Sequence, residues 1–229
     1  MISGLQKLTL LDYPGCVAAT VFTQGCNLRC PFCHNASLVV RPAESGISLA
    51  EFEEFLKRRS GILDGICVTG GEPLIHPEIR SLLELIRSYG FKIKLDTNGF
   101  FPDTLVSLVN DGLVDYVAMD IKSSPEGYPL ACGKTDVDIS PIIRSIEFLI
   151  NGSIPYEFRT TAVGGIHTAK DFAEIGRLIQ GAERYYIQIY TDSGDIIKKE
   201  GLSAPSAEDA EAFLTAVKPF VGNAALRGI

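Results

Sequence analysis

Residues 16–35 read CVAATVFTQGCNLRCPFCHN, a strand-like run, Cys16–Thr23, passing directly into a loop that carries Cys26, Cys30 and Cys33. The run has the length and β-branched composition of a buried strand. Strand–helix pairs then repeat along the chain. Ser48 and Glu51 form a capping box ahead of Leu49, Phe52, Phe55 and Leu56. Strand Gly65–Thr69 runs into Gly70-Gly71-Glu72-Pro73, and a helix starts near Pro77 and stops at Gly90. Strand Phe91–Asp96 precedes a helix from Pro102 to about Asn110. Val114–Ile121 precedes one capped by Ser140, with Pro141 at its first position. Tyr156–Val163 precedes a helix with Thr168 and Asp171 at capping-box spacing, and Tyr185–Tyr190 precedes one opened by Ser206 with Asp209. Six β/α units predict an α/β fold with a parallel sheet, either an open doubly wound sheet or an incomplete barrel.

The 229 residues are 46% hydrophobic and carry 21 basic against 28 acidic side chains, a net charge of −7. That length suits a single domain over residues 1–229, just under the roughly 250 residues of a full eight-unit barrel. The acidic balance argues against direct nucleic-acid binding and against a polybasic membrane patch. There is no apolar run of roughly 18 residues, and MISGLQKLTLLDYPG lacks a cleavable signal pattern. A cytoplasmic, reducing compartment is therefore expected, with the six cysteines as thiols or metal ligands. Cys16 and Cys67 read as small apolar-run residues. Cys132 falls in a Gly/Pro-rich loop, Ser123–Lys134, whose role the sequence leaves open.

The polar motifs collect at the C-terminal ends of the predicted strands, where ligand sites of α/β folds lie. The cysteine loop follows the first strand, Gly70–Pro73 the second and Asp96-Thr97-Asn98-Gly99 the third. Asp120 and Lys122 close the fourth, Arg159 lies on the fifth and Gln188 on the sixth. Three thiolates on one loop suit three corners of a [4Fe–4S] cube, leaving the fourth iron open. Zinc is the rival, and its structural sites want four closed ligands. His34 is the nearest fourth candidate, but it adjoins Cys33. Haem attachment at Cys30-x2-Cys33-His34 would go with export. His76 and His167 read as loop residues.

The CxxxCx(aromatic)C spacing, with Phe32 in the aromatic position, followed one unit later by Gly70-Gly71-Glu72-Pro73, resembles the radical S-adenosylmethionine superfamily. Further likeness lies in Leu5–Leu8, Asp12–Gly15, Phe22–Asn35, Asp96–Gly99, Met119–Lys122 and Arg159. These resemble glycyl-radical-enzyme activases, above all the anaerobic ribonucleoside-triphosphate reductase activating proteins. The resemblance implies a partial (β/α)6 barrel open at one side and a single [4Fe–4S] cluster on Cys26, Cys30 and Cys33. It also implies S-adenosylmethionine, with its amino group at the backbone of Gly70, Gly71 and Glu72 and its carboxylate paired with Lys122. Phe32, Arg159 and Gln188 would meet the nucleoside end, beside Asn98. Asp96, the Thr97 carbonyl and Asp120 match a monovalent-cation site. Asp12 is the candidate contact for an incoming glycine loop, although Cys16-Val17 stand where related activases place an Arg.

The implied reaction is one-electron reduction of the sulfonium, homolysis to a 5′-deoxyadenosyl radical, and removal of an α-hydrogen from a C-terminal glycine of a partner reductase. Flavodoxin or ferredoxin would supply the electron. Lys122 and Asp12 are then the catalytic candidates, and no general acid or base is needed. Two alternatives stand beside this reading: a small-molecule enzyme related to 7-carboxy-7-deazaguanine synthase, and a zinc-stabilised binding domain without catalysis.

Overall fold

The computed structural model describes residues 1–41 and 46–228. The strands are β1 (Ile2–Thr9), β2 (Ala18–Thr23), β3 (Gly65–Gly70), β4 (Lys92–Thr97), β5 (Tyr116–Asp120), β6 (Tyr156–Ala162), β7 (Arg184–Ile189) and β8 (Asn223–Arg227), and their order in the sheet follows the chain. The helices are α1 (Ala36–Val40), α2 (Leu49–Arg59), α3 (Ile79–Ser88), α4 (Pro102–Asn110), α5 (Tyr128–Cys132), α6 (Ser140–Asn151), α7 (Ala169–Leu178) and α8 (Ala207–Val217). None of these helices is long and apolar enough to cross a membrane. The described residues form two compact units. The first comprises residues 1–27, 37–97 and 103–118, and the second comprises 28–36, 98–102 and 119 onward.

In the first unit β2, β3 and β4 run parallel, with Thr20, Cys67 and Lys94 side by side in register. Alternation puts Ala19, Val21, Ile66, Val68, Ile93 and Leu95 on one buried, apolar face. Thr20, Cys67, Lys94 and Asp96 share the other. Helix α2 starts at the expected capping box of Ser48 and Glu51, and α3 buries Ile79, Leu82, Leu83 and Ile86. Strand β1 is an addition to the predicted elements. It lies antiparallel on β2, pairing Ile2 with Thr23 and Thr9 with Ala18.

In the second unit β6, β7 and β8 are parallel. Strand β8 is also additional. It is tied down by Arg227, whose guanidinium bonds both oxygens of the buried Glu157 at 2.9 and 3.0 Å and lies over the Tyr186 ring. Helices α7 and α8 begin at the expected boxes, Thr168 with Asp171 and Ser206 with Asp209. Helix α6 departs from expectation by one position. Ser140 is its first residue rather than its cap, because its own N–H and hydroxyl are held by Asp138. The expected loop over residues 123–134 contains a helix, α5, whose Pro129 sits in the first turn where a missing N–H costs nothing.

Candidate functional site

In the first unit, the chain leaving β2 is clamped to the chain leaving β3. Gly71 N–H donates to the Thr23 carbonyl at 3.0 Å, and Glu72 N–H donates to the Gly25 carbonyl at 2.8 Å. Both glycines are required by this approach. Gly70 has a φ of +117° with Thr23 backbone against it, and a Cβ on Gly71 would fall 1.8 Å from the Gly25 oxygen. The Glu72 side chain is buried and committed, its Oε1 accepting from Leu74 N–H at 3.1 Å and from the Thr97 hydroxyl at 2.9 Å. Gly70–Glu72 therefore present backbone rather than a free carboxylate. Gly71→Ala is expected to destabilise the protein by about 2–3 kcal/mol, because the added methyl must displace backbone. A urea unfolding midpoint equal to that of the wild type would contradict this.

The polar face of the same strands carries a chain of contacts. The Thr20 hydroxyl donates to Asp12 Oδ2 at 2.5 Å. Lys94, almost wholly buried, contacts Cys67 Sγ at 3.7 Å and pairs with Asp96. Cys67 lies 3.7 Å from Asp96 Oδ1 as well. The sequence offered no sign of Lys94. Its alternation with Ile93 and Leu95 in KIKLDT reads as a half-exposed strand, whereas its ammonium is buried against a carboxylate. Cys16 is the more exposed bystander, packed against Tyr13, Ala18 and Tyr116.

In the second unit, the segment holding Cys30 and Cys33 is fixed through its backbone. Arg29 N–H donates to the Cys132 carbonyl at 3.0 Å, Cys33 N–H to Cys30 at 3.0 Å, and Lys198 N–H to Pro31 at 3.0 Å. Phe32 is buried with its ring edge-on to His167. His34 lies on the same segment. Its ring packs on Tyr190, and it lines a cleft of about 220 Å³ with Thr161, Gln188 and Arg227. A hydrogen bond to Cys132 and burial hold the Cys30 thiol well above its ordinary pKa, and burial raises that of Cys33. Ligation at either sulfur must therefore release a proton.

Asp120 sits between two cations, bonding Lys122 Nζ at 3.0 Å and Arg159 Nε at 2.9 Å. Burial opposes the charge on both partners of the Asp120–Lys122 pair. The cations beside Asp120 outweigh it and hold the carboxyl well below its usual range. Asp120 and the nearby Cys30 likewise hold Lys122 above an ordinary lysine. Two further groups aim Lys122. Its N–H donates to the Tyr128 hydroxyl at 3.1 Å, and its carbonyl accepts from His167 Nε2 at 2.9 Å. His167 Nδ1 accepts from Val163 N–H at 3.1 Å, so the ring is the Nε2–H tautomer, and burial lowers its pKa. His167 is thus a buried structural link rather than a simple loop residue. Asn98 uses Oδ1 to accept from Phe100 N–H at 3.1 Å.

The donor chemistry fits a cluster. The cysteine loop offers three soft sulfur donors at the spacing suited to a cube with one open iron. Among the described residues, no three His, Cys, Asp or Glu side chains form a cage for a single metal ion. A monovalent cation fits less well. Asp96 is already balanced by Lys94 and Asp120 by Lys122 and Arg159, each inside its own unit.

The family model described as the Radical SAM superfamily matches residues 20–179. A protein of Methanocaldococcus jannaschii, provisionally named a glycyl-radical enzyme activating enzyme, is 28% identical over 238 residues, covering 100% of this chain and 96% of its own. The pyruvate formate-lyase-activating enzyme of Clostridium pasteurianum is 28% identical over 64% of this chain and 63% of its own. A 7-carboxy-7-deazaguanine synthase of Methanopyrus kandleri is 28% identical over 76% of this chain and 74% of its own. Among solved structures, a radical SAM methyltransferase from Sphaerobacter thermophilus superposes with a TM-score of 0.73 at 17% identity, covering 96% of this chain and 68% of that one. The fold is the α/β partial barrel of the radical SAM type.

Proposed function

The chain belongs to the Radical SAM superfamily, and from that premise we propose that it activates a glycyl-radical enzyme, specifically an anaerobic ribonucleoside-triphosphate reductase. It is a radical SAM enzyme related to glycyl-radical-enzyme activases, and its cofactors are a [4Fe–4S] cluster and S-adenosylmethionine. The observation that supports the activase reading is the glycyl-radical enzyme activating relative that matches this chain end to end, while the reductase as target rests on the resemblance of Leu5–Gly15 and Phe22–Asn35. The reading takes residues 1–229 as one functional domain working in the cytoplasm, with flavodoxin or ferredoxin as electron donor.

Cys26, Cys30 and Cys33 would hold the cluster. When bound, the cluster would supply the single electron needed for homolysis of the S-adenosylmethionine C5′–S bond, and the nucleoside fragment would serve as the hydrogen-atom acceptor for the glycine. The protein's own work is to orient the ligand and keep water out. Lys122, kept charged by Asp120, would pair with the methionine carboxylate, and the backbone of Gly70–Glu72 would meet the amino group. The inward commitment of the Glu72 carboxylate supports a backbone role. Phe32, Asn98, Arg159 and Gln188 would frame the nucleoside. Asp12 would meet the glycine loop.

The test mixes reduced protein, S-adenosylmethionine and a candidate glycyl-radical reductase under anaerobic conditions. A glycyl doublet in the electron-paramagnetic-resonance spectrum of the reductase is expected. Formation of 5′-deoxyadenosine with no radical on any reductase tested would overturn the substrate assignment. The deazaguanine synthase relatives favour a second reading, a low-molecular-weight substrate. They match less of the chain than the activase relative. Turnover of 5′-deoxyadenosine stimulated by a deazapurine precursor alone would select that reading.

A further inference from the structure

Strand β1 is an edge strand of the sheet, and between it and helix α2 the first unit carries a groove of about 900 Å³. Its apolar lining is Leu5, Ile47, Ala50 and Phe55. Its carboxylates are already engaged. Glu51 closes the capping box on the Ser48 N–H and hydroxyl, and Glu54 pairs with Arg58 at 3.0 Å. Two cations on the lining are not matched in this way. Lys7 is exposed and Arg59 lies over the Phe55 ring, and among the described residues neither is ion-paired to a carboxylate. On a chain with a net charge of −7, this groove is locally cationic. The edge of β1 is closed at its start, where Ile47 N–H donates to the Ile2 carbonyl at 3.0 Å. Beyond that point no described strand lies on its outer side. The same segment continues through the exposed Leu8, Leu10 and Leu11 to Asp12, whose N–H donates to the Thr9 hydroxyl at 3.2 Å.

We propose that this groove docks an extended acidic segment of the partner glycyl-radical enzyme. The segment lies along β1 with apolar side chains on Leu5, Ile47 and Phe55 and carboxylates at Lys7 and Arg59. Three features select that occupant. A free sheet edge takes an extended chain through backbone bonds, and flanking side-chain contacts give it specificity. Unmatched cations call for anions, and complementary charge steers the encounter and fixes the register. The strand also leads to Asp12, so a segment seated here is delivered to the residue assigned to the glycine loop. The inference rests on the activase reading and adds to it where the protein substrate is held.

The experiment follows radical formation on a candidate reductase by electron paramagnetic resonance, with dithionite as reductant and a parallel series driven by flavodoxin. Initial rates are measured against reductase concentration for wild type, Lys7→Glu/Arg59→Glu, Lys7→Gln/Arg59→Gln and Lys7→Arg/Arg59→Lys. The half-saturating reductase concentration is expected to rise about tenfold in the Glu pair and less in the Gln pair. The charge-conserving pair should match wild type, and the effect should lie in that concentration rather than in the maximal rate. Added salt should weaken wild-type half-saturation, and the Glu pair should lose that dependence. An active wild type with an unaffected Glu pair would overturn the proposal alone, as would an equal loss in the charge-conserving pair, which marks packing. A defect confined to the flavodoxin series would give the groove to the electron carrier instead. A Glu pair that sediments differently from wild type by itself would give it to a second copy, and either result overturns the proposal. Wild-type protein that leaves every reductase without a radical would overturn the activase reading and the proposal together.

Discussion

Cys30→Ala protein, reconstituted anaerobically, is expected to hold no [4Fe–4S] cluster and to form 5′-deoxyadenosine only at background. Changes to groups around a metal ligand cost about 10–100-fold, and loss of the ligand itself should exceed that. Cys30 is also the most buried thiol of the cysteine loop, at 7% exposure, so no solvent ligand can readily take its place. Cys16→Ala is the matched control, because Cys16 packs against Tyr13, Ala18 and Tyr116 in the first unit. Iron, zinc and sulfide analysis with the visible spectrum reads the first outcome, and chromatography of the reaction mixture reads the second. Wild-type protein loaded with zinc and without broad visible absorption would support the non-catalytic domain instead.

Asp120→Asn is expected to lower stability at neutral pH by about 3–5 kcal/mol, the usual cost of removing one partner from a buried ionic group. Lys122, Asp120 and Arg159 are 19%, 29% and 13% exposed at their side chains, so solvent screens the cluster only in part. The substitution leaves an ammonium and a guanidinium on either side of a neutral amide. The pH dependence has a definite sign. Asp120 titrates lower when folded than its unfolded value of about 3.9, so its contribution is full above that pH and fades as pH falls below it. Lys122 titrates higher when folded than its unfolded value of about 10.4. Its contribution is full below that pH and fades as pH rises further. Urea midpoints of wild type and Asp120→Asn should therefore differ most between about pH 5 and 10 and converge in acid. A constant gap down to the lowest accessible pH would show that the ionic group is not the source.

Much of this arrangement is legible in the sequence, for physical reasons. Helices α2, α7 and α8 announce themselves because Ser48, Thr168 and Ser206 each satisfy orphan N–H groups through a local, short-range box. The parallel strands read easily because their buried faces leave long β-branched and apolar runs. Strand β1 does not, since Gln6, Lys7 and Leu8 are exposed and its one sheet partner lies across an antiparallel pairing that periodicity cannot see. Strand β8 is five residues long and owes its place to Glu157, seventy positions away. The site divides in the same way. The cysteine spacing and Gly70–Pro73 are contiguous and visible. His167 and Cys132 act through Lys122 and Arg29, remote in the chain, and Lys94 and Tyr128 owe their roles to burial that their near neighbours in sequence do not reveal.

The most direct test of the central claim follows the hydrogen atom. A candidate reductase is prepared with α-deuterated glycine, then incubated with the reduced protein and unlabelled S-adenosylmethionine, and the 5′-deoxyadenosine is examined by mass spectrometry. The account predicts 5′-deoxyadenosine carrying deuterium, with a glycyl radical appearing on the reductase in step. Unlabelled 5′-deoxyadenosine formed while the glycine keeps all its deuterium would contradict it.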